Sequence, residues 1–96
     1  MDLSLVIPLY NESESIFELD KKIESILSTS KLSYEILYVD DGSKDDSWKK
    51  IIDISKRNPN THGLRFLKNY GKSMALSAGF SESKGSIVIT MDADLQ

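Results

Sequence analysis

The sequence predicts an α/β fold, a doubly wound parallel sheet of four strands in the order 3-2-1-4 with helices on both faces. Two observations lead to this prediction. Short apolar runs alternate along the chain with segments whose apolar residues recur every three or four positions, which is typical of strands joined by right-handed helical crossovers. The runs are also apolar at consecutive positions, as expected for strands buried on both faces.

The first predicted strand is Leu3–Leu9, a continuous apolar run that is too short for a helix. Three more strands are predicted, at Tyr34–Val39, His62–Leu67 and Ser86–Met91. The third is the weakest, because its apolar residues only alternate. The chain is therefore expected to form one domain, residues 1–96, with a small core.

The first predicted helix begins at Ser13, whose hydroxyl is suited to an N-cap. Its apolar face comprises Ile16, Leu19, Ile23, Ile26 and Leu27. The second helix follows Asp45, Asp46 and Ser47, which provide acidic and capping groups at its positive end, and Asn58-Pro59-Asn60 stops it. Its apolar face comprises Trp48, Ile51 and Ile52.

The third helix is predicted for residues 71–83, and Gly85 is expected to end it. Its residues Met74, Ala75, Ala78 and Gly79 are expected to let it lie close on the sheet.

Composition excludes several classes of function. With 12 basic and 15 acidic side chains and no basic run, the chain is not expected to bind nucleic acid. The absence of cysteine excludes disulfides, and a single histidine, His62, excludes the usual zinc sites, so any metal must be bound by oxygen. No apolar stretch is long enough to span a membrane, which predicts a cytoplasmic or cytoplasm-facing location.

Polar residues follow three of the predicted strands, each at its carboxyl end. The clusters are Pro8-Leu9-Tyr10-Asn11-Glu12, Asp40-Asp41-Gly42-Ser43 and Asp92-Ala93-Asp94. In open parallel sheets, ligands bind beyond the carboxyl ends where the strand order reverses. The three clusters are therefore predicted to share one crevice.

Local chemistry leaves two interpretations open for each cluster. Asp92 and Asp94 could bind Mg²⁺ or Mn²⁺ and through it a diphosphate, or they could be solvated turn residues. Asp41 could accept from a base or ribose, and Tyr10 could stack on a base, or both could serve only the turns. Glu12 could also contact the base or ribose, or could simply be an acid at a helix start.

A weaker hypothesis concerns the turn into the third helix. Lys68, Asn69 and Lys72 surround that helix start, and a helix N-terminus attracts phosphate.

Four motifs in register, SLVIPLYNE, YVDDGSKDDSW, NYGKSMALSAGF and MDADLQ, resemble glycosyltransferase family 2 over the whole chain. The resemblance implies a Rossmann-like nucleotide-sugar-binding domain, the N-terminal part of a glycosyltransferase A-type fold. The forms PLYNE, NYGK and DADLQ are most similar to the branch that makes dolichyl-phosphate or polyprenyl-phosphate sugars. Motif order argues against a signalling receiver, a dinucleotide-binding domain and a haloacid-type phosphatase.

The resemblance also implies roles for nine residues. Those expected to bind the nucleotide are Pro8, Tyr10, Glu12, Val39 and Asp41. Those expected at the diphosphate and its Mg²⁺ or Mn²⁺ are Asp92, Ala93, Asp94 and Gln96, with Asp92, Asp94 and Gln96 as metal ligands. No catalytic residue is expected in this chain, because family members continue into an acceptor-binding portion.

The implied activity is transfer of a sugar from a UDP- or GDP-sugar to a polyprenyl or dolichyl phosphate by metal-dependent inverting displacement. The chain is expected to be an inactive N-terminal piece of a protein that associates with the cytoplasmic face of a membrane. Two alternatives are a polysaccharide-chain or cell-wall glycosyltransferase of the same family and a non-catalytic nucleotide-binding or metal-binding module. A homodimer formed through the fourth strand or a swapped element is also expected, since exposed strand edges invite association.

Overall fold

A computed structural model describes residues 1–93 and contains four parallel strands and three helices in strict alternation. The elements are β1 (Leu3–Leu9), α1 (Ile16–Leu27), β2 (Tyr34–Asp40), α2 (Ser47–Arg57), β3 (Thr61–Arg65), α3 (Lys72–Glu82) and β4 (Ile87–Thr90). The sheet order is β3-β2-β1-β4, and every pairing is parallel. The predicted fold class and strand order are thus confirmed.

Successive side chains of a strand point to opposite faces, and the two faces of this sheet carry separate apolar clusters. On one face, Leu5 and Ile7 of β1 pack with α1 and α2. On the other face, Val6 of β1 and Val39 of β2 pack with Ala75 of α3. Helices therefore cover both faces, as the doubly wound fold requires.

Helix α3 lies close on the sheet because small residues face it. A Cβ built on Gly79 would lie 2.4 Å from Cγ1 of Val6, and Ala75 is fully buried. The prediction was wrong for Met74, which is exposed. It was also wrong for Gly85: the helix ends at Glu82, and Gly85 instead allows a close approach to the backbone of Ser4.

The start of α1 also differs from the prediction. Ser15, not Ser13, occupies the N-cap position, and its hydroxyl makes no capping bond to the helix. The Ser13 N–H instead donates to Asp45, 3.3 Å away. Ile26, expected on the buried face, is exposed because α1 packs mainly through Ile16, Leu19 and Ile23.

The outer strands are shorter and more exposed than predicted. Strand β3 stops at Arg65, and Leu67 is 96% exposed. All four residues of β4 are exposed, because α3 packs on β1 and β2. The predicted dimer through β4 stays a prediction, which sedimentation over a range of concentrations would test. No helix within residues 1–93 has the length and apolar character needed to cross a membrane.

Candidate functional site

A cavity of about 480 Å³ lies at the carboxyl ends of β1, β2 and β4 and beside the start of α3. Its lining consists of Pro8, Leu9, Tyr10, Glu12, Asp41, Asn69, Gly71, Lys72, Ala75, Asp92 and Ala93. The cavity thus occupies the position where the strand order reverses between β1 and β4.

Six of the predicted site residues line this cavity, namely Pro8, Tyr10, Glu12, Asp41, Asp92 and Ala93. Val39 does not. Its side chain is fully buried on the face of the sheet that α3 covers, and its backbone lies opposite Pro8 of β1 in the sheet. Asp94 and Gln96 lie outside the described residues. The structure therefore brings Tyr10, Asp41 and Asp92 to one hollow, and their individual roles stay predictions.

The β1–α1 loop (residues 10–15) is fastened to the β2–α2 loop (residues 41–46) and to the start of α2. Asn11 has a φ of 53°, in the left-handed region that asparagine tolerates. Its N–H donates to Oγ of Ser43, and its side-chain oxygen accepts from the Lys44 N–H, both at 2.8 Å. The Glu12 N–H donates to Oγ of fully buried Ser47 at 3.1 Å. These bonds give one wall of the cavity a fixed backbone.

The acids of the β2–α2 loop reinforce this wall. Fully buried Asp40 accepts from the Ser43 N–H at 2.8 Å, and Asp45 accepts from the Ser47 N–H at 2.9 Å. Desolvation raises the pKa of the Asp45 carboxyl, but hydrogen bonds from Ser47 and Ser13 outweigh it, so the pKa lies below its usual value.

Asp41 fastens the β3–α3 loop (residues 66–71) to the same wall. Only 5% of Asp41 is exposed. Its Oδ1 accepts from the Tyr70 N–H at 2.8 Å, and its Oδ2 accepts from the Gly71 N–H at 3.0 Å and from Nδ2 of Asn69 at 3.1 Å. A carboxylate has about four acceptor sites, so one acceptor site of Asp41 remains beyond these three bonds.

Gly42 allows the β2–α2 and β3–α3 loops to touch. It has a φ of 76°, and a Cβ at this position would lie 2.3 Å from the carbonyl carbon of Lys68. No residue other than glycine fits there without displacing the backbone.

Lys72 and Asp92, which also line the cavity, form an exposed ion pair, and this part of the cavity is called the ion-pair end below. Nζ of Lys72 lies 2.8 Å from Oδ1 of Asp92, and the two side chains are 63% and 66% exposed. The Ser15 hydroxyl donates its single proton to the Ala93 carbonyl at 2.9 Å, and Oε2 of Glu12, 3.1 Å away, is an alternative acceptor. The β1–α1 loop is thus tied to the segment that follows β4.

The donor chemistry of this end fits a hard divalent cation. Carboxylate oxygens are preferred ligands for Mg²⁺ and Mn²⁺, and Asp92 offers one at the cavity mouth. Within residues 1–93 no three acidic or histidine side chains cluster closely enough to bind a metal. Of the three predicted metal ligands, Asp92 is the one that lies within residues 1–93.

Sequence reasoning undervalued the start of α3. The cavity is also lined by Asn69, Gly71, Lys72 and Ala75. Of these four, the sequence hypothesis of a phosphate site at the start of the third helix included only Asn69 and Lys72. The glycine before a lysine at a predicted helix start was the available signal. Ser15 was missed because its partner Ala93 lies 78 residues away.

Comparison with known proteins gives one family. The family model described as Glycosyl transferase family 2 matches residues 4–96. The chain is 42% identical over 96 residues to an uncharacterized glycosyltransferase of Synechocystis sp., covering 100% of this chain and 30% of the relative. It is 44% identical over 96 residues to the undecaprenyl-phosphate 4-deoxy-4-formamido-L-arabinose transferase of Sodalis glossinidius, covering 98% of this chain and 29% of the relative. The chain thus spans about a third of these relatives' length.

Solved structures share the fold. The S. aureus protein TarS (residues 1–349) in complex with UDP-GlcNAc superposes with a TM-score of 0.81 at 23% identity, covering 98% of this chain and 27% of that chain. A mannosyltransferase of Pyrobaculum calidifontis in complex with GDP-Man and Mn²⁺ gives a TM-score of 0.80 at 24% identity, covering 96% of this chain and 27% of that chain.

Proposed function

The chain belongs to glycosyltransferase family 2, and we propose that it is the donor-binding part of an enzyme that transfers a sugar from a UDP- or GDP-sugar to a polyprenyl or dolichyl phosphate. The observation that carries the proposal is the single cavity shared by Tyr10, Asp41 and Asp92, which come from the ends of three different strands. A nucleoside diphosphate needs an aromatic or polar surface for its base and a cation at its phosphates. Tyr10 and Asp41 offer the first, and Asp92 offers a carboxylate that can bind a divalent cation.

The base and ribose bind at the fastened end of the cavity, where hydrogen bonds join the β1–α1, β2–α2 and β3–α3 loops. Tyr10 lines the cavity with 40% of its surface exposed, so its ring is available for stacking. Asp41 presents its remaining acceptor site to a base imide or a ribose hydroxyl. Pro8 and Glu12 complete this end, and Val39 supports it from the core.

The diphosphate binds at the ion-pair end. We assign Asp92 as a ligand for Mg²⁺ or Mn²⁺. Asp94 and Gln96 are assigned as the other ligands by their places in the MDADLQ motif. Ala93 faces the diphosphate through its backbone. When bound, the metal ion stabilises the negative charge that develops on the departing nucleoside diphosphate.

The acceptor is proposed from chemistry and from one relative, whose name includes undecaprenyl phosphate. A phosphate monoester is already anionic near neutral pH, so the enzyme gains most from positioning it and from stabilising the leaving group. The relatives extend well beyond the part that this chain matches, and we assign the acceptor site to the corresponding part of the whole protein. These 96 residues alone therefore bind the donor without transferring its sugar, and the full-length protein acts at the cytoplasmic face of a membrane.

Titration calorimetry with UDP and with GDP, each with and without MnCl₂, tests the donor site. We expect one of the two nucleotides to bind, and to bind more tightly with Mn²⁺. Tyr10→Ala should weaken binding roughly tenfold, since base stacking on an aromatic side chain contributes about 1–3 kcal/mol.

Phe17→Ala is the matched control, because Phe17 is a 41% exposed aromatic outside the cavity. Equal losses in both variants would remove Tyr10 from the site. The absence of any heat with either nucleotide and Mn²⁺ would contradict the proposed function as a whole.

A further inference from the structure

The ion pair between Lys72 and Asp92 connects the start of α3 to the segment that follows β4. Lys72 is the first residue of α3, and Asp92 follows β4. Both side chains line the cavity, and their charged atoms are 2.8 Å apart. The carboxylate proposed to bind a divalent cation is therefore already bound to a cation of the chain itself.

The backbone of Lys72 is fixed, but its side chain is free to move. The preceding residue, Gly71, donates its N–H to the buried Asp41 carboxylate, and its carbonyl accepts from the N–H of fully buried Ala75. The Lys72 side chain is 63% exposed, and a lysine ammonium sits on a flexible four-carbon stem. The ammonium can thus change partners while the helix start stays in place.

We propose that Lys72 is a resident counter-cation for Asp92 that the divalent metal displaces, after which the freed ammonium binds the diphosphate of the donor. The inference rests on the proposed metal site at Asp92. An exposed ion pair is weak, so a divalent ion readily replaces the ammonium. The released charge stays at the cavity mouth, where a diphosphate arrives with the metal.

The exchange predicts effects of opposite sign in a single variant. In Lys72→Gln, Mn²⁺ alone should bind roughly two- to fivefold more tightly, because it no longer competes with an ammonium of ordinary ion-pair strength. The nucleotide, at saturating Mn²⁺, should bind about threefold or more weakly, because a charge-assisted bond to phosphate is lost. Mn²⁺ binding is measured by the electron paramagnetic resonance signal of the free ion, and UDP and GDP binding by calorimetry.

Two further variants separate the exchange from a general effect of charge or folding. Lys72→Arg keeps the cation and should leave Mn²⁺ affinity close to that of the unmodified chain. Lys22→Gln is the matched control, because Lys22 is also 63% exposed and paired with an acid, Glu18, but lies outside the cavity. It should change neither affinity.

The outcomes distinguish this inference from the proposed function. If the unmodified chain binds Mn²⁺ and Lys72→Gln binds it equally or more weakly, the exchange is wrong and the metal site stands. If the nucleotide binds Lys72→Gln as tightly as the unmodified chain, the second half of the exchange is wrong. If the unmodified chain binds neither Mn²⁺ nor nucleotide, the proposed function fails and this inference fails with it.

Discussion

The two ends of the cavity are built in opposite ways. At the fastened end, buried groups such as Asp41 and Ser47 join three loops through hydrogen bonds to backbone N–H groups. At the ion-pair end, two largely exposed side chains, Lys72 and Asp92, face each other. The fastened end is thus held by buried hydrogen bonds of the chain itself, whereas the ion-pair end is held only by an exposed contact. Substitutions of the buried fastening groups should therefore lower stability, whereas substitutions of the exposed ion pair should change binding with little effect on stability.

The largest effect is expected from Gly42→Ala. The new Cβ would lie 2.3 Å from the Lys68 carbonyl carbon at a φ of 76°, so strain and overpacking add to a loss of about 3 kcal/mol or more in unfolding free energy. Urea unfolding followed by circular dichroism measures it. Gly71→Ala is the control: φ is 102°, but no atom lies within 4 Å of the new Cβ, and about 1–2 kcal/mol is expected. Equal losses would mean that the contact between the loops is not tight.

A smaller loss, about 1–3 kcal/mol, is expected from Asp41→Asn. The amide keeps one acceptor oxygen and turns its NH₂ group toward a donor, either the Tyr70 N–H or the Gly71 N–H, which leaves a partly buried donor unpaired. The same unfolding experiment measures it, and the exchange rates of the two amide protons should rise. Unchanged protection of these protons would show that Asp41 does not fasten the β3–α3 loop.

The smallest effect on stability is expected from Asp92→Asn. Exposed ion pairs contribute about 0–1 kcal/mol, so unfolding free energy should change by less than about 0.5 kcal/mol, while Mn²⁺ binding should be lost. A loss of stability as large as that of Asp41→Asn would erase the contrast between the two ends.

The sequence predicted the central strands better than the edges of the sheet. Leu3–Leu9 was predicted with its correct bounds because every residue of β1 is buried, and all of them except Ser4 are apolar. Leu67 was wrongly added to β3, since an apolar residue beyond a strand looks the same as one inside it. The exposure of β4 was missed because its composition matches a buried strand, and coverage depends on where α3 packs.

The site was predictable where it follows from strand ends and not where it depends on contacts between distant loops. Tyr10 and Asp92 directly follow an apolar run and Asp41 follows one after Asp40, and the topology rule alone places them together. The bonds from Asp41 to Tyr70 and Gly71 span about 30 residues, so no local pattern reveals them. The same limit explains why Ser13 was chosen as the cap instead of Ser15.

The pairing of β1 with β4 has a consequence for biosynthesis. The Ser86 N–H donates to the Met1 carbonyl, across 85 positions of the chain, so β1 leaves the ribosome well before β4 and waits for it before its second edge is paired. At about 5–20 residues per second, that edge stays open for roughly 4–17 seconds. Non-local parallel pairing is also slow to form. The nascent chain is therefore most vulnerable to mispairing in the interval before β4 emerges, and faster translation of residues 41–86 should shorten it.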